Sequence, residues 1–374
     1  MLWGGSGSLR MKLACSYNPL FYEGGLSLHD GVELMELGFL AYRSVLSNHD
    51  RVGLNECEDL SLSLHVSRSP ITENAQNQDV FISEKIRPVR DDARLISVGF
   101  HLCDDRRKNI GRFGFSSHYE SSKAKEARAI RFIGNVQDSI GKQVWVENAN
   151  FYSSSPREIV SNWKSFNRIV RQSQARSIID LSHLVIDCAN NDMDPHLLVG
   201  LIDWQSVVEI HLSGIVSGRD GMLHDGHSSP VSSKVWRLLE NIRELGVLSE
   251  EDLYCNIEHS DRRWGDCSEE YLNDFNIIES IFSAETNFPG KQIDATPYAK
   301  GYLKTLISEE VENLNQISSH FNLTHDNLLD RWLNHVEQGK YRLSLSRDDM
   351  DSEIQKESLY FIDSFIQFIN KLQK

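Results

Sequence analysis

The sequence has no apolar run approaching the roughly 20 residues that a membrane-crossing helix requires, so a spanning segment is not expected. It also lacks a charged start followed by an apolar stretch, which leaves no recognisable secretory signal. Cysteine is sparse. Six residues (Cys15, Cys57, Cys103, Cys188, Cys255 and Cys267) are scattered over 374 positions without a C-x-x-C pair, in a chain far larger than the small secreted domains that depend on disulfides. Reduced thiols and a cytoplasmic location are therefore expected. Basic residues are also in short supply: 39 Lys and Arg stand against 54 Asp and Glu, a formal charge of −15 that repels phosphate backbones and anionic membranes. Neither nucleic acid nor a membrane is an expected partner. Internal repeats and low-complexity tracts are missing too.

What is present is a sizeable hydrophobic fraction, 40%, enough to fill a large core. Short β-branched or apolar runs alternate with amphipathic helical stretches between Lys12 and about Phe282, the pattern of a parallel sheet covered by helices. The runs are Leu13 to Tyr17, Phe39 to Leu46, Leu60 to Val66, Leu95 to Leu102, Gln143 to Asn148, Ser177 to Leu181, Val207 to Leu212 and Asp252 to Glu258. Eight strands with intervening helices predict an α/β protein with a (β/α)8 TIM-type barrel. Helices are expected at Glu126 to Ile140, at Pro156 to Gln172 with a cap from Ser153 to Ser155, and at Ser232 to Leu245 with Gly246 as its stop.

The expected organisation has three parts. Residues 1–10, MLWGGSGSLR, read as an expression scar with Met11 as the native start, and residues 11–286 form the barrel. Residues 287–374 read as a C-terminal helical extension, with apolar stripes such as Leu328, Leu329, Trp332 and Leu333 that serve packing.

In such a barrel catalytic groups project from the C-terminal ends of the strands. Potential ligands collect there: LSLSLHV ends at His65, LISVGFHL at His101, QVWVEN at Glu147, SIIDLSH at Asp180 and His183, VVEIHL at His211 and LYCNIEH at Glu258. The loop after the seventh strand adds HDGH, with Asp225 and His227. Any one histidine at a strand end is ordinarily structural, but this many on one rim would leave carboxylates repelling one another unless cations neutralised them. Five imidazoles and four carboxylates exceed the needs of a mononuclear site, so two or three metal ions fit better. Nitrogen and oxygen ligands without a thiolate suit iron, manganese or zinc, and spacing does not choose among them.

VVEIHLSG followed by HDGHSSPV and VWRLL, from Val207 to Leu239, resembles the multinuclear non-heme iron-dependent oxidases, a family formerly known only as a domain of unknown function. The likeness extends through LSLHV, FHL, VENANFY and IIDLSHL to NIEH. Its best-known member is the oxidase subunit of methanobactin biosynthesis. The resemblance implies a barrel holding two or three iron ions, Fe(II) and Fe(III), with O2 as co-substrate. It also implies a cysteine-containing, ribosomally synthesised precursor peptide as substrate, modified by oxazolone and thioamide formation or a related cysteine oxidation. A small partner protein that helps hold the peptide, and hence a heterodimer, is implied as well.

Carried over by position, the resemblance assigns metal ligation to His65, His101, Glu147, Asp180, His183, His211, Asp225, His227 and Glu258. Two departures stand out. Many relatives have Asn near the place of His183, and many have an acidic residue where this chain has Ser260; Asp261 is then the nearest candidate for proton transfer. Asn148 and Asn150 are expected to brace the loop after Glu147, and His118, His224 and His259 to lie around the site or face solvent. The basic run Arg106, Arg107 and Lys108 reads as a solvated face or an attraction for an acidic leader segment. The rival readings are a metal-dependent hydrolase or isomerase on the same barrel, and a non-catalytic peptide-binding module.

Overall fold

A computed structural model describes residues 11–39, 41–42, 60–104, 118–218, 221–248 and 253–283. The expected C-terminal helical extension, the basic run Arg106 to Lys108 and Cys57 all lie outside the described residues. Eight parallel strands close into a barrel. They are β1 (Lys12–Ser16), β2 (Val32–Leu37), β3 (Ser61–Val66), β4 (Leu95–His101), β5 (Gln143–Glu147), β6 (Arg176–Asp180), β7 (Val207–Leu212) and β10 (Tyr254–Ile257). Two further strands, β8 (Gly214–Ser217) and β9 (Leu223–Gly226), pair antiparallel as a hairpin immediately after β7. The barrel closes where β1 pairs with β10, with Ala14 opposite Asn256.

Seven of the barrel strands lie within two residues of the runs expected from the sequence. The second does not. The expected strand from Phe39 to Leu46 is replaced by VELMEL at Val32–Leu37, while residues 39, 41 and 42 are helical and the rest of that run lies outside the described residues. The cause is the inward side of β2. Leu34 and Glu36 share one face of the strand, so an acidic residue interrupts the apolar run that would have marked it.

The helices follow their end signals. Ser122, Ser155 and Ser232 each place a side-chain oxygen on a free N–H in the first turn, starting the helices Lys123–Ile140, Pro156–Ser173 and Ser233–Leu245. Gly246, at φ 65°, ends the last of these as expected. Helices not read from the sequence, among them Ala75–Phe81, Leu181–Asn190 and Ser268–Ser283, add to the ring.

The main core fills the space between the strands and the helices. A separate apolar cluster of Ala14, Leu34, Trp145, Ile178 and Val208 lies inside the barrel. Leu34, Trp145 and Ile178 each precede a carboxylate (Glu36, Glu147, Asp180) by two residues on the same strand. Because side chains alternate along a strand, these apolar groups plug the barrel directly beneath the acidic layer.

Candidate metal centre

Strand ends set the positions of the functional side chains. His65 and His101 lie on β3 and β4, Glu147 and Asp180 are the last residues of β5 and β6, His211 is on β7, and Glu258 directly follows β10. Asp225 lies on β9 and His227 just beyond it, so the hairpin folds over the barrel mouth. Close approach requires glycine here: a Cβ on Gly214 would lie 2.7 Å from Gly226 O on the facing strand and 2.2 Å from Ser229 Oγ in the turn that follows. His183 is in the first turn of the helix that starts at Leu181, where its backbone N–H donates to Asp180 Oδ1 at 2.6 Å.

All nine side chains expected as ligands converge. His65 Nε2 and His101 Nε2 are 2.8 Å apart, and Glu147 Oε2 lies 3.3 Å from the first and 3.2 Å from the second. Metal–ligand bonds of about 2.0–2.2 Å hold neighbouring ligand atoms about 3 Å apart, so this triangle fits one cation. Glu147 Oε1 lies 3.5 Å from His183 Nδ1, which is 3.3 Å from Asp180 Oδ2. His211 Nδ1 lies 3.4 Å from Glu258 Oε1. His227 Nε2 is 2.6 Å from Asp225 Oδ2 and 3.6 Å from Glu258 Oε2. Overlapping groups of three ligand atoms within 4.8 Å of one another run through the whole set, and each group could hold a metal ion.

The donor chemistry fits that reading. Both oxygens of Glu147, Oδ2 of Asp180 and Oε2 of Glu258 are buried without a hydrogen-bond partner. Such oxygens are costly to bury unless cations face them. Among the described residues no thiol joins the groups of three and no disulfide forms; four of the described cysteines are buried and Cys267 partly so.

The electrostatics show how strongly the carboxylates call for positive charge. Burial raises the Glu36 carboxyl, but the His211 and His65 imidazoles outweigh it and hold it down at about 2. Burial lowers His65, yet Glu36 and Glu147 lift it to about 9. His227 is likewise lowered by burial and lifted to about 10 by Asp225 and Glu258. Asp180 goes the other way: burial drives it well above the carboxylate range, with His183 opposing. In the metal-free protein, imidazolium protons supply the charge that cations would otherwise bring.

Three further groups belong to this interior and were not read from the sequence. Glu36 Oε2 lies 3.2 Å from His65 Nδ1 and 3.2 Å from His211 Nε2. Glu209 Oε1 lies 3.4 Å from His211 Nε2, and Asn256 Nδ2 donates to both Glu36 and Glu209. The signal was available for Glu209 and Asn256, which stand two residues before His211 and Glu258 and so share their inward faces.

Asp261 is not among the converging groups. It is exposed, and its Oδ1 accepts from the backbone N–H of Arg263 at 2.8 Å, capping the short turn Arg262–Gly265. Ser260 Oγ, its neighbour, sits 3.1 Å from His227 Nδ1. Asn148 braces as expected, but both amide atoms of Asn150 are buried without a partner. His259 is buried behind Glu258, stacked on Trp264 at 3.9 Å between ring centroids, with Nε2 2.8 Å from Asp274 Oδ2. His118 is half-buried and pairs with Glu158 at 2.9 Å; His224 is buried beside Tyr152.

Comparison with known proteins adds to this geometry. Residues 121–252 match the family model of the RiPP precursor modification enzyme MbnB/TglH/ChrH. That stretch holds Glu147, Asp180, His183, His211, Asp225 and His227. A UPF0276 protein of Vibrio vulnificus strain YJ016 is 30% identical over 161 residues, 42% of this chain and 54% of that protein. One from Nitrosospira multiformis is 24% identical over 208 residues, 55% of this chain and 69% of that protein. The match thus spans about half the length of the Vibrio relative. Among solved structures, a D-psicose 3-epimerase in the presence of D-fructose superposes with a TM-score of 0.43 at 11% identity, covering 73% of this chain and 100% of that one. No helix among the described residues is long and apolar enough to cross a membrane. The resemblance read from the sequence is borne out: over residues 121–252 the chain is similar to the family of RiPP precursor modification enzymes MbnB/TglH/ChrH.

Proposed function

We propose that the chain is a multinuclear non-heme iron oxidase that uses O2 to oxidise a cysteine of a ribosomally synthesised precursor peptide. Oxazolone and thioamide formation, or a related cysteine oxidation, is the reaction class. The observation that carries the proposal is the position of Glu147. Its Oε2 lies 3.3, 3.2 and 3.7 Å from ring nitrogens of His65, His101 and His211, and its Oε1 lies 3.5 Å from a fourth ring, His183. One carboxylate facing several imidazoles from both oxygens is placed to bridge adjacent cations.

His65, His101 and Glu147 would hold one ion, with Asp180, His183, His211, Asp225, His227 and Glu258 serving one or two more. Bound iron would supply open coordination positions and one-electron chemistry for O2 and a thiolate. The protein's own residues set access. Glu147, Asp180 and His211 are fully buried, whereas the His227 side chain is 32% exposed, so a peptide cysteine would enter from the hairpin side. Ser213 Oγ donates to Asp225 Oδ1, and Ser260 meets His227, which fixes the two mouth residues before substrate arrives. Asp261, exposed beside Ser260, is the proposed proton-transfer group at that entrance. A small partner protein that helps hold the peptide, giving a heterodimer, and a cytoplasmic setting belong to the same proposal.

The test is oxygen uptake by iron-loaded protein with cysteine-containing precursor peptides, alone and with candidate partner proteins. Uptake that requires the peptide and stops when its cysteine is replaced by serine is the expected result. Metal-replete protein that consumes no oxygen with any thiol peptide would contradict it.

A further inference from the structure

A histidine that binds a metal through one ring nitrogen is oriented by whatever accepts the N–H of the other. His65 and His211 each face two ways in this barrel. His65 turns Nε2 toward His101 and Glu147, at 2.8 and 3.3 Å, and Nδ1 toward Glu36 Oε2, at 3.2 Å. His211 turns Nδ1 toward Glu258 and Glu147, at 3.4 and 3.7 Å, and Nε2 toward the same Glu36 oxygen, at 3.2 Å. A single buried carboxylate oxygen therefore meets the rear nitrogen of both rings. Asn256 Nδ2 donates to that oxygen at 2.8 Å, fixing the Glu36 side chain from a third direction.

We infer that Glu36 is a positioning residue: it accepts N–H from both rings, so that His65 presents Nε2 and His211 presents Nδ1 to the metals. This rests on the reading of the cluster as a metal centre. The alternative, Glu36 as a ligand to a further cation with His65 and His211, conflicts with imidazole chemistry. A neutral imidazole has one lone-pair nitrogen, and both rings already direct one nitrogen at the Glu147 side. With the rear nitrogens carrying hydrogens, an acceptor is what they require. Glu209, 3.4 Å from His211 Nε2 and held by Asn256 at 3.1 Å, steadies the same layer from β7.

The inference is tested by titrating metal-free protein with cobalt(II), following the visible spectrum and the number of ions retained. Glu36→Gln keeps the shape of the side chain but loses an accepting oxygen. It is expected to retain the wild-type number of ions, bind them about 10- to 100-fold more weakly and show a changed cobalt spectrum. Asn256→Ala, which removes the donor to Glu36, is expected to weaken binding in the same direction; a melting curve of each metal-free variant confirms that it folds. Unchanged affinity and spectrum in Glu36→Gln would overturn the inference while leaving the metal centre standing. Loss of one ion with the remaining affinities unchanged would make Glu36 a ligand and also overturn it. Wild-type protein that binds no cobalt would instead defeat the metal-centre reading beneath it.

Discussion

Asn148 holds Asp180 by both of its backbone polar groups: Nδ2 donates to the Asp180 carbonyl and Oδ1 accepts from the Asp180 N–H, each at 2.9 Å. The Asn148 carbonyl lies 3.1 Å from His183 Nδ1. One residue thus couples the end of β5 to the end of β6: its side chain holds Asp180 and its backbone carbonyl faces His183. Asn148→Ala would leave the buried Asp180 N–H unpaired, while the Asp180 carbonyl keeps its place as the first acceptor of the helix that follows. It is expected to cost about 1–3 kcal/mol of stability and to lower metal content. Denaturant unfolding together with metal analysis checks both.

Glu147 lies in the middle of the cluster and Asp225 at its mouth. Glu147 faces four histidines and is fully buried, whereas Asp225 lies at the mouth with His227 and His183. Glu147→Gln is expected to lose more than one ion per chain, and Asp225→Asn no more than one. Elemental analysis of the two purified variants decides, and equal losses would argue against a bridging role for Glu147.

Gly99 lies beside Ile178 and the His65 ring. A Cβ there would lie 3.2 Å from Ile178 Cδ1 and 3.7 Å from His65 Nδ1, and a branched side chain would extend further into both. Gly99→Val is expected to destabilise the barrel by about 1–3 kcal/mol and to displace His65 from its triangle with His101 and Glu147. Melting temperature and cobalt binding measure the two effects separately.

Asp187 carries a pH signature away from the metal cluster. Burial raises its carboxyl from 3.8 to about 6, although Ser153 donates to it from N and Oγ at 2.9 Å each. The folded chain therefore holds this proton more tightly than the unfolded chain. The group's contribution is fully present below its unfolded value of 3.8 and is lost as pH rises through about 6, a difference of about 3 kcal/mol. Asp187→Asn is expected to flatten the melting temperature between about pH 4 and pH 7; an unchanged slope would contradict this assignment.

Much of the site was legible because the barrel places function where apolar runs stop. His65, His101, Glu147, Asp180, His211 and Glu258 each mark the end of such a run, and the chain brings them together. Glu36 was hidden by the composition of its own strand. Like His65 and His211 it stands one residue before its strand's end, but together with Glu33 it breaks the apolar pattern of VELMEL, so Phe39 to Leu46 gave the stronger but misleading signal. The hairpin around Asp225 was read as a loop because its strands are four residues long and carry Gly214 and Gly226 for close approach, and the strand that holds Asp225, LHDG, has no β-branched residue. The tie between Ser260 and His227 spans 33 residues and depends on the fold, which spacing alone does not reveal.

The central claim is that this cluster holds iron. Elemental analysis with Mössbauer spectroscopy, on full-length protein purified without chelators, tests it most directly. Two or three irons per chain in mixed valence is the result the account predicts. Stoichiometric zinc without iron would contradict it and turn the assignment toward hydrolysis.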